Sequence, residues 1–402
     1  MKILHTSDWH LGQEFYTYDR TQEHEAFLAQ LRDIVAEEQP DVMVVSGDIY
    51  HNATPSNAVM RMFTDRLDMI RNACPSMQIV ITAGNHDSSA RLEVTRTLWK
   101  HLGVYVIGRI EKNEDGVDFN RLIIPIRDKE SNVCGYVIAL PHVFPQSFPQ
   151  LEEQTPRDER QNVFFRTLAE KIKEVNLNHL PVIMMAHMAI TGSDITGHDE
   201  IRGGMDYVNL ADLQVGYDYL ALGHIHCPQL INDAHARYCG SPIPVSFDEN
   251  YEHSVTIVEL HKQGDLPALR YVPIKNPWPV KTFPKEAVPF EEAMQLLTHF
   301  PDDEQAYIRL HVTLDDVAPT NAFERAYHAI EKKNCRFCCF KWERKGALPT
   351  QQRKFSDVDQ MKAESPLRIA ELFYENKFGK PLDDDLKEML NEVIEQVERR
   401  ED

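Results

Sequence analysis

The sequence has no surplus of positive charge, no long hydrophobic run and few cysteines. Each absence removes a class of protein. Lys and Arg number 43 against 63 Asp and Glu, a formal net charge of -20. Such a chain is a poor nonspecific coat for nucleic acid, because coat proteins displace counterions from phosphates with a basic face. Contact with a polyanion would need local positive charge, and bound metal ions are one source. No segment approaches the roughly 20 apolar residues that span a bilayer. Met1-Lys2-Ile3-Leu4 gives way at once to polar residues, too short a run for a secretory signal. A soluble, cytoplasmic protein is expected. The 7 cysteines, Cys74, Cys134, Cys227, Cys239, Cys335, Cys338 and Cys339, are odd in number and scattered. That excludes a disulfide framework and fits a reducing compartment. Cys335-x-x-Cys338-Cys339 has no second pair at matching spacing, and strand alternation accounts for it, so no zinc is expected there.

What is present is an ordinary globular composition, 42% hydrophobic and 26% charged over 402 residues, enough for a sizeable core and more than one domain. Short apolar runs ending in polar clusters dominate the first part. Residues 2–4 lead into His5-Thr6-Ser7-Asp8-Trp9-His10, and 42–45 into Ser46-Gly47-Asp48. Residues 79–81 lead into Thr82-Ala83-Gly84-Asn85-His86-Asp87, 182–185 into Ala186-His187, and 219–222 into Gly223-His224-Ile225-His226. Each run has the length and bulk of a strand. Helical stripes separate some of them: Phe27, Leu28, Leu31, Ile34 and Val35, stopping near Pro40; then Val59, Met62, Phe63, Leu67 and Ile70, opened by Pro55-Ser56. A third, less regular stripe joins Leu92, Leu98, Trp99 and Leu102. Strands alternating with helices predict an α/β architecture.

Five prolines crowd residues 271–289 and suggest a linker. Residues 290–300 and 321–333 read as helices, 307–314 and 335–342 as strands, enough for a small α/β domain. Residues 346–364 read as a second linker. Ser365-Pro366 could open a helix, Gly379-Lys380-Pro381 would break it, and a second stripe runs through Leu386, Met389, Leu390, Val393, Ile394 and Val397. Two short helices with unpaired apolar stripes read as a docking element. The expected organisation is a catalytic domain over 1–272, a capping domain over 285–345, the linker 346–364 and a helix pair over 365–400.

The five strand ends carry the chemistry, since ligands of α/β proteins sit beyond the carboxyl ends of strands. Asp8 and His10, like His224 and His226, are two residues apart and so point to one side of extended chain. The donors are oxygen and imidazole without thiolate, which suits Mn²⁺, Fe or Zn²⁺ in a catalytic site. Two divalent ions would bring four positive charges, of which Asp8 and Asp48 cancel two, while Asn85 and the histidines cancel none. The residual positive charge suits an anionic diester, and two ions suit an in-line displacement at phosphorus. A lone Asp-x-His or Gly-Asp is common and means little. The ordered set, each member after an apolar run, is far more specific.

That order resembles the calcineurin-like metallophosphoesterase superfamily. The segments Thr6-Ser7-Asp8-Trp9-His10-Leu11-Gly12, Ala221-Leu222-Gly223-His224-Ile225-His226, Tyr238-Cys239-Gly240-Ser241-Pro242-Ile243-Pro244 and Ser246-Phe247-Asp248-Glu249 are similar to its DNA-repair nuclease branch, over the first 270 or so residues. The resemblance implies two packed mixed β-sheets flanked by helices, with a small α/β cap and a terminal helix pair. It implies two Mn²⁺ ions, one held by Asp8, His10, Asp48 and His226, the other by Asp48, Asn85, His187 and His224. His86 would stand beside the scissile phosphate as the catalytic group, with Asp87 orienting it. It further implies DNA as substrate, a homodimer through the helices after the second and third motifs, and docking of the terminal helices on the coiled coil of an ABC ATPase. His51, Arg20, Arg91 and Arg202 are candidate DNA contacts. The alternatives are a calcineurin-like enzyme acting on a small phosphodiester or a phosphoprotein, and a DNA-end tether that does not cut.

Overall fold

The computed structural model describes residues 1–344 apart from 115, 145–146, 153, 197–206, 214, 232–234 and 315–317, and beyond them Leu367, Tyr374, Leu386, Lys387 and Leu390. Met1–Val312 and Pro319–Lys341 pack as one compact unit, and Thr313–Ala318 with Trp342–Asp402 form a second. In the expected helix pair the five described residues are helical. The rest of that pair, and the linker 346–364, lie outside the described residues.

Two six-stranded mixed sheets form the main body. In chain order the strands are β1 (Lys2–Thr6), β2 (Val42–Ser46), β3 (Gln78–Thr82), β4 (Val104–Ile107), β5 (Ile123–Arg127), β6 (Val133–Ala139), β7 (Val182–His187), β8 (Tyr219–Gly223), β9 (Gln229–Leu230), β10 (Ala236–Tyr238), β11 (Ser254–Glu259) and β12 (Ala268–Pro273). The first sheet runs β12-β11-β1-β2-β3-β4 and the second β9-β10-β8-β7-β6-β5. Strands β1 to β4 are mutually parallel, as are β6, β7, β8 and β10. The outer strands β11, β12, β5 and β9 close the sheets antiparallel.

Alternation along the central strands dictates the layering. Ile3, Val42, Val44 and Val80 face the second sheet and join its core. Their neighbours Leu4, Met43, Val45, Ile79 and Ile81 face the other way, onto helices. Both faces of the first sheet are therefore covered, which is why these strands read as continuous apolar runs. The covering helices are α1 (Thr21–Glu38), through Phe27, Leu28, Leu31 and Val35, and α2 (Asn57–Ala73), through Phe63, Leu67 and Ile70. Ser56 caps α2 by accepting the Val59 N–H, a contact worth about 1 kcal/mol. Helix α1 ends at Gln39, whose φ of 47° precedes Pro40. The second sheet carries the helix Arg160–Val175, with Phe164, Phe165, Leu168 and Ile172 inward.

Two expectations need correction. The third stripe is not one helix but two short ones, Ser89–Leu92 and Arg96–His101. Leu92 and Trp99 are buried, while Leu98 and Leu102 face outward at 69% and 39% exposure. The proline-rich stretch 271–289 is also not a linker throughout. Tyr271–Pro273 completes β12, and Val280–Pro289 is a ten-residue strand at the edge of a three-stranded sheet with Tyr307–Leu314 and Arg336–Arg344. Proline fits an edge strand, where a missing N–H removes no ladder bond. The helices of this sheet span Phe290–Thr298 and Ala322–Ile330. An apolar cluster of Phe15, Phe247, Trp278, Tyr307 and Cys338 joins it to the main body, and the Tyr307 hydroxyl donates to Glu23 at 2.9 Å. No helix among the described residues is long and apolar enough to cross a membrane.

Two core histidines give this fold an acid limit. Burial, reinforced by Arg237 for His5 and by Arg20 for His24, lowers each imidazole from 6.5 to about 3. The unfolded chain therefore takes up these protons first. The stability gained by keeping both rings neutral is complete above pH 6.5 and lost as pH falls toward 3. The urea midpoint should drop over that window, and His24→Gln should make the drop shallower. An equal slope in the variant would contradict this.

Candidate metal centre

The carboxyl ends of β1, β2, β3, β7 and β8 meet at one edge of the sandwich, because the central strands of both sheets are parallel. The loops beyond them are sewn together by backbone bonds, Asp8 N–H to Gly47 O at 3.1 Å and His10 N–H to Asp48 O at 3.0 Å. Across the two sheets, the Ser46 hydroxyl donates to the Ala221 carbonyl and the His224 N–H to Asp8 Oδ1. Such close approach explains two glycines. A Cβ on Gly84 would overlap Asp48 Oδ1, and one on Gly223 would overlap the Ser46 carbonyl. Four of the converging residues hold left-handed backbone: Asp8 at φ 52°, His10 at 43°, Asp48 at 51° and His224 at 101°. Strain of this kind costs on the order of 1–3 kcal/mol per residue and gathers at functional sites.

The donors face one another at short range. His10 Nε2 is 3.2 Å from His226 Nε2. Asn85 Oδ1 lies 3.0 Å from both His187 Nε2 and His224 Nδ1. One oxygen, Asp48 Oδ2, stands 3.7 Å from His10 Nε2 and 3.4 Å from His187 Nε2. Asp8, His10 and His226, and likewise Asp8, Asp48 and His187, bring donor atoms within 4.8 Å of one another. Metal bonds of about 2.0–2.2 Å give polyhedron edges of roughly 3.0–3.6 Å; the 3.0, 3.2 and 3.4 Å separations fit ligands around divalent cations, and the 3.7 Å separation of His10 and Asp48 lies just beyond that range. Asp8, His10, Asp48, His187, His224 and His226 are all buried, and Asn85 lies exposed at the rim.

The electrostatics fit as well. The Ser46 carbonyl is 2.8 Å from His187 Nδ1; a carbonyl only accepts, so Nδ1 carries a proton and Nε2 turns to Asp48. Burial pushes the His187 imidazole down, but Asp48, then Asp8 and the Ser46 carbonyl, carry it up to about 9. Burial likewise pushes the Asp48 carboxyl up, and His187, with His10 and His86, holds it well below the usual carboxylate range. The cluster thus keeps positive charge beside Asp48, where a cation would sit. Burial depresses His10 most, favouring the neutral form a ligand needs.

Of the residues singled out in the sequence, Asp8, His10, Asp48, Asn85, His86, His187, His224 and His226 come together here, with His51 beside them. The His51 ring stacks on His86 at 5.7 Å and meets His10 edge-on at 5.6 Å. Arg91 is exposed on the short helix Ser89–Leu92. Arg202 lies outside the described residues. Arg20, a candidate DNA contact from the sequence, is turned inward. It is 1% exposed and spends its guanidinium on Glu23, Gln13 and the Pro244 carbonyl. Asp87 also differs from expectation. Its carboxylate accepts the backbone N–H groups of Ile49, Tyr50 and Gly84, tying two loops together. His86 is held instead by the His51 carbonyl, 2.7 Å from its Nδ1.

Two neighbours were given no site role from the sequence, although Glu249 lies in the segment Ser246-Phe247-Asp248-Glu249 that carries the resemblance. His142 donates from Nδ1 to the His187 carbonyl, its ring 5.9 Å from that of His187. It too follows a strand end, but Pro141 intervenes and blurs the signal. Glu249 reaches His226 from a loop after β10, and no spacing rule marks it.

This arrangement is a cluster of Asp, Asn and His donors able to hold divalent metal at one edge of a two-sheet sandwich. The chain belongs to the calcineurin-like phosphoesterase family, whose model matches residues 1–228. Within that family it belongs with the SbcD components of SbcCD nucleases. It is 33% identical over 347 residues to the SbcD nuclease protein of Rhodobacter capsulatus, covering 82% of this chain and 85% of that protein. Identity to the SbcD protein of Escherichia coli K12 is 32% over 275 residues, 64% of this chain and 65% of that one. For the SbcD protein of Bacillus subtilis it is 31% over 277 residues, 64% and 66%.

Proposed function

We propose that this chain is the DNA-cutting subunit of an ATP-regulated complex of the SbcC–SbcD type, hydrolysing phosphodiesters with two Mn²⁺ ions. Its reactions would be exonuclease action on duplex ends and endonuclease action on single strands and hairpins, in repair, recombination and replication. The observation that carries this reading is Asp48 Oδ2, placed between His10 Nε2 and His187 Nε2, where one carboxylate oxygen can serve two cations. Asp8, His10, Asp48 and His226 would hold one ion; Asp48, Asn85, His187 and His224 would hold the other. When bound, the ions supply uncompensated positive charge to the phosphodiester and Lewis acidity toward water and the phosphoryl oxygens.

The remaining work falls to the chain. Hydrolysis forms one P–O bond from water and breaks another, and the departing oxygen needs a proton. His86 is suited to give it. Its Nδ1 is committed to the His51 carbonyl, leaving Nε2 to hold the proton or bond to phosphate charge. His51, stacked on His86, borders the path of the strand, and exposed Arg91 is a candidate phosphate contact.

Residues 285–345 would act as a cap beside the main body, and the terminal helices, with Leu367, Tyr374, Leu386 and Leu390, would dock on the coiled coil of the ATPase. Exposed Val94 and Leu98, at 77% and 69%, support pairing of two copies through the helices after the second and third motifs, giving a heterotetramer. Seven free cysteines suit work in the cytoplasm.

Cleavage of end-labelled duplex and hairpin DNA, with and without the ATPase partner and across Mn²⁺, Mg²⁺ and Zn²⁺, tests the proposal. Cutting should be greatest in Mn²⁺ and respond to partner and ATP. Turnover of small phosphodiesters alone, or end bridging without cutting, would overturn it.

A further inference from the structure

Glu249 is 3% exposed and belongs to no helix or strand. Its Oε1 lies 3.5 Å from His226 Nδ1 and accepts the Val245 N–H at 3.2 Å. Its Oε2 accepts the Ser241 hydroxyl at 3.1 Å and lies 3.8 Å from His253 Nε2. A buried carboxylate is costly unless it is compensated. Among the described residues, its ion-pair partners are these two imidazoles. The opposite edge of the His226 ring, Nε2, faces His10 Nε2 across 3.2 Å. The ring thus has the Glu249 carboxylate 3.5 Å from one nitrogen and the metal pocket at the other. Loops hold such a ring poorly unless a second group fixes it, and carboxylates commonly do this for ligating imidazoles.

We propose that Glu249 is a positioning residue of the metal centre, holding His226 as the Nδ1–H tautomer so that Nε2 offers its lone pair beside His10 and Asp8. The proposal rests on His226 being a ligand. Residues His187 and His86 receive the same service from the Ser46 and His51 carbonyls, but Glu249 is the carboxylate version, and its charge also favours a cation beyond the ring.

The test compares Glu249→Ala, Glu249→Gln and His226→Ala. Long-range ¹H–¹⁵N spectra of the metal-free, histidine-labelled protein at alkaline pH report the tautomer directly, and Mn²⁺ titration followed by paramagnetic resonance reports affinity. Wild type should show His226 protonated at Nδ1. Glu249→Ala should give a tautomer mixture and weaken Mn²⁺ binding roughly 10- to 100-fold. Glu249→Gln should keep the Nδ1–H form, because its amide oxygen can still accept, and should lose less affinity. Should Glu249→Ala not fold, Glu249→Asp, which withdraws the carboxylate by one methylene, carries the same expectation. Unchanged tautomer and affinity in the Ala or Asp variant, with His226→Ala weakened, would overturn this proposal alone. Unchanged affinity in His226→Ala would instead overturn the ligand assignment on which it rests.

Discussion

Asp48→Asn is expected to abolish DNA cleavage, by more than about 10³-fold, and to weaken binding of both Mn²⁺ ions. That exceeds what loss of a single electrostatic donor costs, because on the proposed two-ion reading one substitution would remove charge from both ion positions at once. Asn is the informative replacement. Its oxygen can still accept the His86 N–H that Asp48 Oδ1 now takes at 2.9 Å, so the loop should keep its path. What disappears is the negative charge facing His10 and His187. The check is a Mn²⁺ titration beside a thermal melt in chelator. Lost binding of both ions with a melt that stays cooperative, lowered by no more than loss of the Asp48–His187 pair accounts for, supports the bridging assignment. Retained binding of both ions would reject it.

His86→Ala separates chemistry from metal binding. Cleavage should fall by about 10²–10⁴-fold, the range for losing a general acid. Mn²⁺ affinity and the melt should stay near wild type, since the ring's Nδ1 partner is the His51 carbonyl rather than a ligand. A variant that loses its ions as well would make His86 part of the coordination, and one that cuts normally would remove it from the reaction.

The site was legible in the sequence because of how the sandwich is built. Central parallel strands covered on both faces appear as unbroken apolar runs, and their shared carboxyl edge appears as the polar cluster after each run. Asp8, His10, Asp48, His187, His224 and His226 are therefore marked by sequence alone, and Asn85 and His86 likewise. The resemblance then supplied roles that spacing cannot give. What stayed hidden depends on which way a loop side chain turns. Arg20 looked like a phosphate contact, yet its guanidinium closes a buried network with Glu23 and Gln13. The resemblance implied that Asp87 orients His86, whereas its carboxylate turns back onto three backbone N–H groups. Glu249 comes from a loop 23 residues after His226, and only the packed fold brings the two together. The prolines of 271–289 signalled a break, but at a sheet edge they interrupt no ladder, so the strand Val280–Pro289 forms regardless.

Anomalous diffraction from crystals of the full chain grown in Mn²⁺ is the most direct measurement. It should show two peaks flanking Asp48 Oδ2, one beside Asp8, His10 and His226, the other beside Asn85, His187 and His224. A single peak, or peaks away from Asp48, would contradict the two-ion centre.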